Sequence, residues 1–410
     1  MKINKLFLTA AASLLLATSA KADFSVYITG STAFRAAAYA AIASLYDSGF
    51  NVNASSSTAA PFTTIANAQA PNRPTSDSTY NGAAFMTFSG TMNSAFGSQI
   101  VTIYCNWSGS VEGIRDLTQG NSLPFLSTAV SQTTSFSDAG TTAVADFAFS
   151  DVFQSTTIYK TPTLQTLACG VVPFVFVKNN GATANLTNIT HQQAINLFAN
   201  GVVSLGSITG DTTTGTSSDT NKVACLIGRY NGSGTRAAVF ADTGYGALKN
   251  SVNYKYSATA GPGSTAAFTI VTPDPNVGYL GGASIKTDLG NNISQALLVD
   301  GSTYGTGYAI GYLGVKDAFG VTGNSAGALN LTYDGTPFST NAVQNGSYTL
   351  WSYEHFYNKS GINANLTTLK ANIVGAIPAN LGTGTTLIGI PASSMNVSRS
   401  VDGGPIAQRY

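Results

Sequence analysis

VACLIGRYNGSGTRAAVF, residues 223–240, predicts a buried strand, then a tight turn and the start of a helix. Val223–Ile227 is apolar, the turn is made of glycine, serine and threonine, and an alanine-rich stretch follows it. A helix start presents backbone N–H groups without intrahelical partners and the positive end of the helix dipole. Glycines let the backbone approach a ligand, and hydroxyl groups add donors. The segment therefore predicts an anion site, with Arg229 directly before the turn.

Two other places in the chain repeat this arrangement. Gly30-Ser31-Thr32 follows a predicted strand at 24–29 and opens an alanine-rich helix, and Gly109-Ser110 follows a predicted strand at 99–106. In open α/β folds, ligands bind outside the carboxyl ends of strands. Three such turns together favour one shared anion site.

The order of the predicted elements indicates the fold class. Further strands are predicted at 143–149 and 170–177, and a helix capped by Thr190 is predicted within 186–201. Strands and helices alternate, which favours an α/β fold with mixed, mostly parallel sheets flanked by helices. The chain has 410 residues, more than one ordinary core accommodates, so two lobes are expected.

The first 22 residues have the pattern of a secretory signal peptide. Lys2 and Lys5 precede an apolar run at 6–17, which is too short to span a bilayer, and Ala20-Lys21-Ala22 fits a cleavage site. We therefore expect cleavage after Ala22 and a mature protein that is periplasmic or secreted.

Composition excludes several other classes of protein. Charged residues make up 9% of the chain and the net charge is +1, so no broad basic surface for nucleic acid or anionic lipid is expected. The cysteines allow at most one disulfide, and only two histidines could join them as metal ligands: Cys105, Cys169, Cys225, His191 and His355. No metal site and no cofactor are predicted.

Several motifs resemble, in the same order, those of the periplasmic phosphate-binding proteins of ABC importers: ITGSTAF (28–34), GSVEGIRDL (109–117), FAFSDVF (147–153), LTNITHQQAINLFANG (186–201), RYNGSGTRAAVF (229–240) and YAIGYLGV (308–315). The resemblance implies a two-lobed periplasmic-binding-protein fold, type II-like. Its expected parts are lobe I at 23–170 plus 347–410, lobe II at 171–346, and polar surface insertions at 51–98 and 205–221.

The resemblance also implies a function without catalysis. A monomer would capture hydrogen phosphate between the lobes and deliver it to an ABC permease in the inner membrane. The implied phosphate-binding residues are Ser31, Thr32, Phe34, Ser110, Asp151, Arg229, Ser233, Gly234 and Thr235. Asn231 stands where the family has an acidic partner for the arginine, so Arg229 is expected to be less firmly oriented.

Two alternatives remain open at the level of sequence. Gly323–Gly327 (GNSAG) fits the G-x-S-x-G elbow of serine hydrolases around Ser325, with Asp334 and His355 following in the hydrolase order. The segment before the elbow is weak as a strand, which disfavours that interpretation. The second alternative is a secreted surface or adhesive structural protein on the same scaffold, consistent with the low charge and the polar insertions.

Overall fold

The structure, a computed structural model, describes residues 24–47, 50–55, 65–68, 83–93, 96, 98–127, 140–215, 217–256, 268–271, 278–291, 296–299 and 302–409. The predicted signal peptide at 1–22 lies outside the described residues.

Within these ranges the strands are β1 Phe24–Gly30, β2 Asn51–Ser55, β3 Ile65–Ala68, β4 Phe85–Thr91, β5 Ile100–Asn106, β6 Ser122–Leu126, β7 Gly140–Val144, β8 Phe147–Ser150, β9 Gln165–Lys178, β10 Asn188–Ile189, β11 Val202–Ser204, β12 Val223–Ile227, β13 Asn253–Tyr256, β14 Phe268–Val271, β15 Ala296–Val299, β16 Ser302–Gly314, β17 Thr332–Tyr333, β18 Trp351–Asn358, β19 Val397–Ser398 and β20 Ala407–Gln408.

The α-helices of the described residues are α1 Arg35–Ala43, α2 Ser110–Gln119, α3 His191–Asn200, α4 Gly206–Thr209, α5 Gly234–Asp242, α6 Gly282–Leu289, α7 Val315–Phe319, α8 Thr340–Gln344 and α9 Ala364–Ala376. Local signals place several of these helix starts. Thr190 and Gln193 form a capping box at the start of α3, as the Thr190 cap predicted.

One large mixed sheet runs through the molecule, in the order β11-β12-β16-β9-β18-β8-β1-β5-β4-β2-β3. Parallel pairs join β1 to β5 and to β8, and join β12 to β16. Antiparallel pairs join β11 with β12, β16 with β9, β9 with β18, β18 with β8, β5 with β4, and β4 with β2. The predicted α/β fold with mixed sheets flanked by helices is confirmed.

Strand β9 joins the two halves of this sheet. It has 14 residues; its first part, Gln165 to Pro173, pairs with β18, and its second part, Phe174 to Lys178, pairs with β16. From Cys169 onward every residue of β9 is buried, as expected for an apolar strand covered on both faces. One continuous strand is therefore common to the two halves of the sheet.

The stretch 51–98, expected as a polar surface insertion, contributes to the sheet where it is described. β4 pairs with β5 along its whole length, and β2 pairs with β4. The side chains of Met86 and Phe88 are fully buried in the core. The prediction of a surface insertion is wrong for these strands. It followed the polar composition of the whole stretch, whereas the short apolar pattern within β4 indicates a strand.

Candidate anion-binding site

Residues 223–240 fold as the sequence predicts. β12 covers Val223–Ile227, Ser233 caps α5, and the Ser233 hydroxyl accepts the backbone N–H of Arg236 at 3.3 Å. Arg236 itself turns away from the loop, because its Nη2 donates to the Lys249 carbonyl at 2.8 Å. The two arginines that flank the turn therefore have different roles.

Arg229 is 2% exposed and is held by three oxygens. Its Nε donates to the Tyr279 carbonyl at 3.1 Å, and its Nη2 donates to the Leu280 carbonyl at 2.8 Å and to Thr32 Oγ1 at 3.1 Å. Asn231 is exposed. The expectation of a poorly oriented Arg229 is therefore wrong, since backbone carbonyls take the place of an acidic partner.

The segment that supplies these carbonyls was not recognised in the sequence. The Tyr230 N–H donates to the Tyr279 carbonyl at 3.2 Å, and the Tyr279 N–H donates to the Gly228 carbonyl at 3.0 Å, so residues 278–280 extend along the end of β12. A Cβ at Gly278 would lie 2.6 Å from the Tyr230 nitrogen. Only glycine permits this approach. Backbone carbonyls that accept hydrogen bonds from an arginine leave no residue-type motif in the sequence.

Asp151 follows β8 and is fully buried. Its Oδ2 accepts the Thr235 hydroxyl at 3.4 Å, and its Oδ1 has no hydrogen-bond partner among the described residues. Burial raises the pKa of Asp151, whereas the Ser110 hydroxyl, the positive charge of Arg229 and the Thr235 hydroxyl act in the opposite direction.

Three predicted site residues meet at the start of α5. A Cβ at Gly234 would overlap Asp151 Oδ1 and lie 2.6 Å from Ser110 Oγ. The starts of α2 and α5 therefore converge on the unpartnered oxygen of Asp151. Thr235 also donates a hydrogen bond to Asp151, and Thr32 accepts one from Arg229. The structure thus brings together six of the predicted residues: Thr32, Ser110, Asp151, Arg229, Gly234 and Thr235.

The side chains of the other three predicted residues have structural partners. Ser31 donates its hydroxyl to Glu354 Oε2 at 3.2 Å. Phe34 is fully buried in the core, where its ring lies 6.0 Å from that of Phe149. Ser233 caps α5. Any contact that Ser31 and Phe34 make with an anion would have to come from their backbone.

Glu354 is a functional candidate that the sequence analysis missed. It lies in β18, is fully buried, and its Oε1 has no hydrogen-bond partner in the described part of the chain. Burial raises the pKa of Glu354 well above its ordinary value, and the charge of Asp151 raises that pKa further. The sequence signal that could have revealed it is a single glutamate within an otherwise aromatic strand.

The loop after β5 contacts the loop after β12 directly. The Val111 N–H donates to the Gly232 carbonyl at 3.2 Å, and the Tyr230 hydroxyl donates to the Ser108 carbonyl. The Glu112 side chain packs against Gly232. The loop after β5 and the loop after β12 therefore meet beside the candidate site.

The residues of the hydrolase alternative do not assemble. Asp334 accepts the backbone N–H of His191 at 2.9 Å and faces the His191 ring at 3.2 Å, instead of orienting His355. His355 is buried in β18, and its Nδ1 lies 3.2 Å from the Thr166 hydroxyl. Burial lowers the pKa of His355 to about 3, so it is a poor general base. Ser325 lies in an exposed turn.

Other classes of site find no support in the described residues. All three cysteines are buried and free. The described residues contain no cluster of three or more histidine, cysteine or acidic side chains that could bind a metal. In the same residues, the helices are too short or too polar to cross a bilayer.

Comparison with known proteins gives matches in structure alone. No protein-family model matches the chain, and no curated protein matches it. Solved structures do match. One is an ABC-type phosphate transport receptor from Vibrio cholerae, with 14% identity and a TM-score of 0.40 over 85% of this chain and 93% of that one.

A second match is a Clostridium perfringens protein with bound phosphate, described as a phosphate ABC transporter substrate-binding protein. It shares 14% identity, with a TM-score of 0.45 over 89% of this chain and 99% of that one. Both proteins are of the class that the sequence motifs resemble. Because these similarities are low in sequence and in structure, the function has to be inferred from the residues of this chain.

Proposed function

We propose that this protein binds inorganic phosphate, as hydrogen phosphate, between its two lobes. The observation that carries the proposal is the buried Asp151 Oδ1, which has no partner among the described residues and faces Ser110 and the first residue of α5. A lone buried acceptor among donors is suited to a ligand that brings both negative charge and a proton. Hydrogen phosphate is such a ligand.

The surrounding groups supply what the charged oxygens of phosphate need. Arg229 presents a planar guanidinium that is already oriented, and charge-assisted hydrogen bonds to oxyanions are among the strongest in proteins. The starts of α1, α2 and α5 add backbone N–H groups that have no partner within their own helices, and the positive ends of three helix dipoles. Ser110 and Thr32 add hydroxyl donors, whereas the Thr235 hydroxyl donates to Asp151.

We propose a transport role because the site can bind phosphate but has no catalytic residues among those that the structure describes. The site holds an oriented cation, hydroxyl groups and buried carboxyls, and the hydrolase residues do not assemble, so we assign no enzymatic activity. We propose an exported monomer with its signal peptide removed after Ala22, which delivers phosphate to an ABC permease. The lobe limits at 170/171 and 346/347 are part of this proposal, and they are supported by the pairing of β9 with both β18 and β16.

Calorimetric titration with sodium phosphate tests the proposal. Arg229→Ala should weaken binding by at least about 2 kcal/mol, because a buried charged partner is lost. Arg409→Ala is the control, since it removes the same charge near the C-terminus, where Arg409 donates to the Ala392 carbonyl. Absence of phosphate binding in the unmodified protein would favour the surface-protein alternative. An unchanged dissociation constant in Arg229→Ala would remove Arg229 from the site.

A further inference from the structure

Arg35 is a buried cation that the sequence motifs did not assign to any role. It is the first residue of α1 and is 6% exposed. Its Nη1 nitrogen is buried without a hydrogen-bond partner in the part of the chain that the structure describes. Leaving a charged donor buried and unpaired costs several kcal/mol, so such a group calls for a partner outside the protein.

The surroundings of Arg35 place it at the candidate site. Its guanidinium is close enough to Arg229 for the two positive charges to repel, and Asp317 at the start of α7 attracts it. Thr32, which accepts a hydrogen bond from Arg229, lies three residues before Arg35 at the same end of α1. Two buried guanidinium groups thus lie near each other, one from each lobe.

The charges of the two arginines make the space between them favourable for an anion. Burial lowers the pKa of Arg35 to about 10, with a further lowering from Arg229 that is smaller than the opposing attraction by Asp317. Arg35 therefore stays protonated at neutral pH, as does any arginine in ordinary conditions. A dianion between the two guanidinium groups would relieve their repulsion and satisfy the free donor.

We propose that Arg35 is a second anion-binding arginine, which contacts the bound phosphate from lobe I while Arg229 contacts it from lobe II. This inference rests on the proposed function and adds a second cation that would balance the charge of a doubly charged tetrahedral oxyanion. The two guanidinium groups balance the two negative charges, and the Asp151 carboxylate accepts a hydrogen bond from the proton that the anion retains. Because the two cations belong to different lobes, the anion also holds the lobes together.

One rival explanation uses the same residues. Arg35 and Asp317 lie on different lobes and attract each other, so Arg35 would then only link the lobes. In that case Asp317→Asn would weaken phosphate binding as Arg35→Gln does, and the double variant would be no worse than either single variant. If Arg35 contacts the anion, Asp317→Asn leaves phosphate affinity unchanged or raises it, because a competing negative charge is removed.

Phosphate titration of Arg35→Gln, Asp317→Asn and the double variant decides between the two. We expect Arg35→Gln to bind sodium phosphate at least about 30-fold more weakly, from the cost of losing a buried charged partner. Arg409→Gln, which removes the same charge far from Arg229, should bind normally. The ligand-free melting temperature of Arg35→Gln should be unchanged or higher, because an unpaired buried charge is removed.

Several outcomes would overturn the inference. Unchanged affinity in Arg35→Gln, with normal binding by the unmodified protein, overturns the role of Arg35 and leaves the proposed function intact. Equal and non-additive losses in Arg35→Gln and Asp317→Asn overturn it in favour of a link between lobes. No binding by the unmodified protein overturns the proposed function itself. If Arg35→Gln does not fold, Arg35→Lys is measured instead; a loss of about tenfold is expected from the missing planar fork, and full affinity overturns the proposal.

Discussion

Asp151 is the residue that we expect to discriminate between tetrahedral anions. Its Oδ1 is buried, has no partner among the described residues, and lies beside Ser110 and Gly234. The nearby Glu354 is buried as well, and burial and the mutual repulsion of the two carboxyl groups raise its pKa. A neutral Glu354 leaves Asp151 as the acceptor that a protonated anion can satisfy and a fully ionised one cannot.

Asp151→Asn should therefore narrow the preference for phosphate over sulfate. The unmodified protein should prefer phosphate by at least roughly a thousandfold, because sulfate brings no proton and meets a buried negative charge, at a cost of about 4 kcal/mol. An amide can donate to sulfate, so the variant should gain sulfate affinity. Calorimetry with both anions measures this. Asp146→Asn is the control, because the Asp146 carboxylate accepts the Tyr27 N–H at 2.9 Å and lies outside the candidate site. Equal phosphate and sulfate affinities in the unmodified protein would contradict the assignment.

The loop between β12 and α5 keeps its conformation because a second segment, residues 278–280, binds to it. Residues 278–280 form a short parallel bridge with Arg229 and supply the two carbonyls that orient its guanidinium. The loop's own residues determine its turn and its helix cap. Its binding geometry depends on a segment that is distant in the chain.

Gly278→Ala should weaken phosphate binding while the rest of the fold is retained. The new Cβ would lie 2.5 Å from the carbonyl carbon of Arg229 and 2.6 Å from the Tyr230 nitrogen, and backbone atoms cannot move aside as a flexible side chain can. Displacement of residues 278–280 would release Arg229, at a cost of about 1–3 kcal/mol in binding. Gly244→Ala is the matched control, because Gly244 also has a positive φ but open space around it. Equal phosphate affinities in the two variants would show that the bridge does not orient Arg229.

Across the whole molecule, the C-terminal segment 397–409 connects parts that lie far apart in the chain. Arg399 pairs with Asp242 at the end of α5, with an Nη1–Oδ1 distance of 2.9 Å. Asp402 accepts the Phe153 N–H at 2.8 Å and the Thr156 hydroxyl at 2.6 Å, in the loop that follows Asp151. The segment thus links α5 to the loop that carries the carboxylate of the candidate site.

Asp402 should make the stability of the protein depend on pH. Burial raises the pKa of Asp402 to about 7, against hydrogen bonds that lower it. Between about pH 4 and 7 the folded protein then holds a proton that the unfolded chain has released, so the free energy of unfolding falls as pH rises. The fall attributable to this group is at most about 4 kcal/mol.

Denaturant unfolding of Asp402→Asn and of the unmodified protein across this pH range tests the assignment. The variant cannot titrate at this position, so its stability should fall less steeply with rising pH. Identical slopes in the two proteins would mean that Asp402 has an ordinary pKa in the folded state.

The sequence by itself determined the features that depend on neighbouring residues. The apolar run of β12, the glycine-serine turn and the Ser233 cap are local, because turn and cap preferences arise from backbone conformation and nearby hydrogen bonds. The alternation of strands and helices, and hence the α/β class, follows from the same local patterns. The three glycine-hydroxyl turns could be placed at strand ends for this reason.

Only the tertiary structure decided what those turns contact. Arg229 is oriented by carbonyls 50 and 51 residues away, and Ser31 bonds to a glutamate 323 residues away. Any residue type can supply a backbone carbonyl, so such contacts leave no pattern in one sequence. The burial of Arg35 and Glu354 likewise depends on which elements pack over them. Side-chain chemistry is encoded locally, whereas partners and burial are set by packing between distant segments.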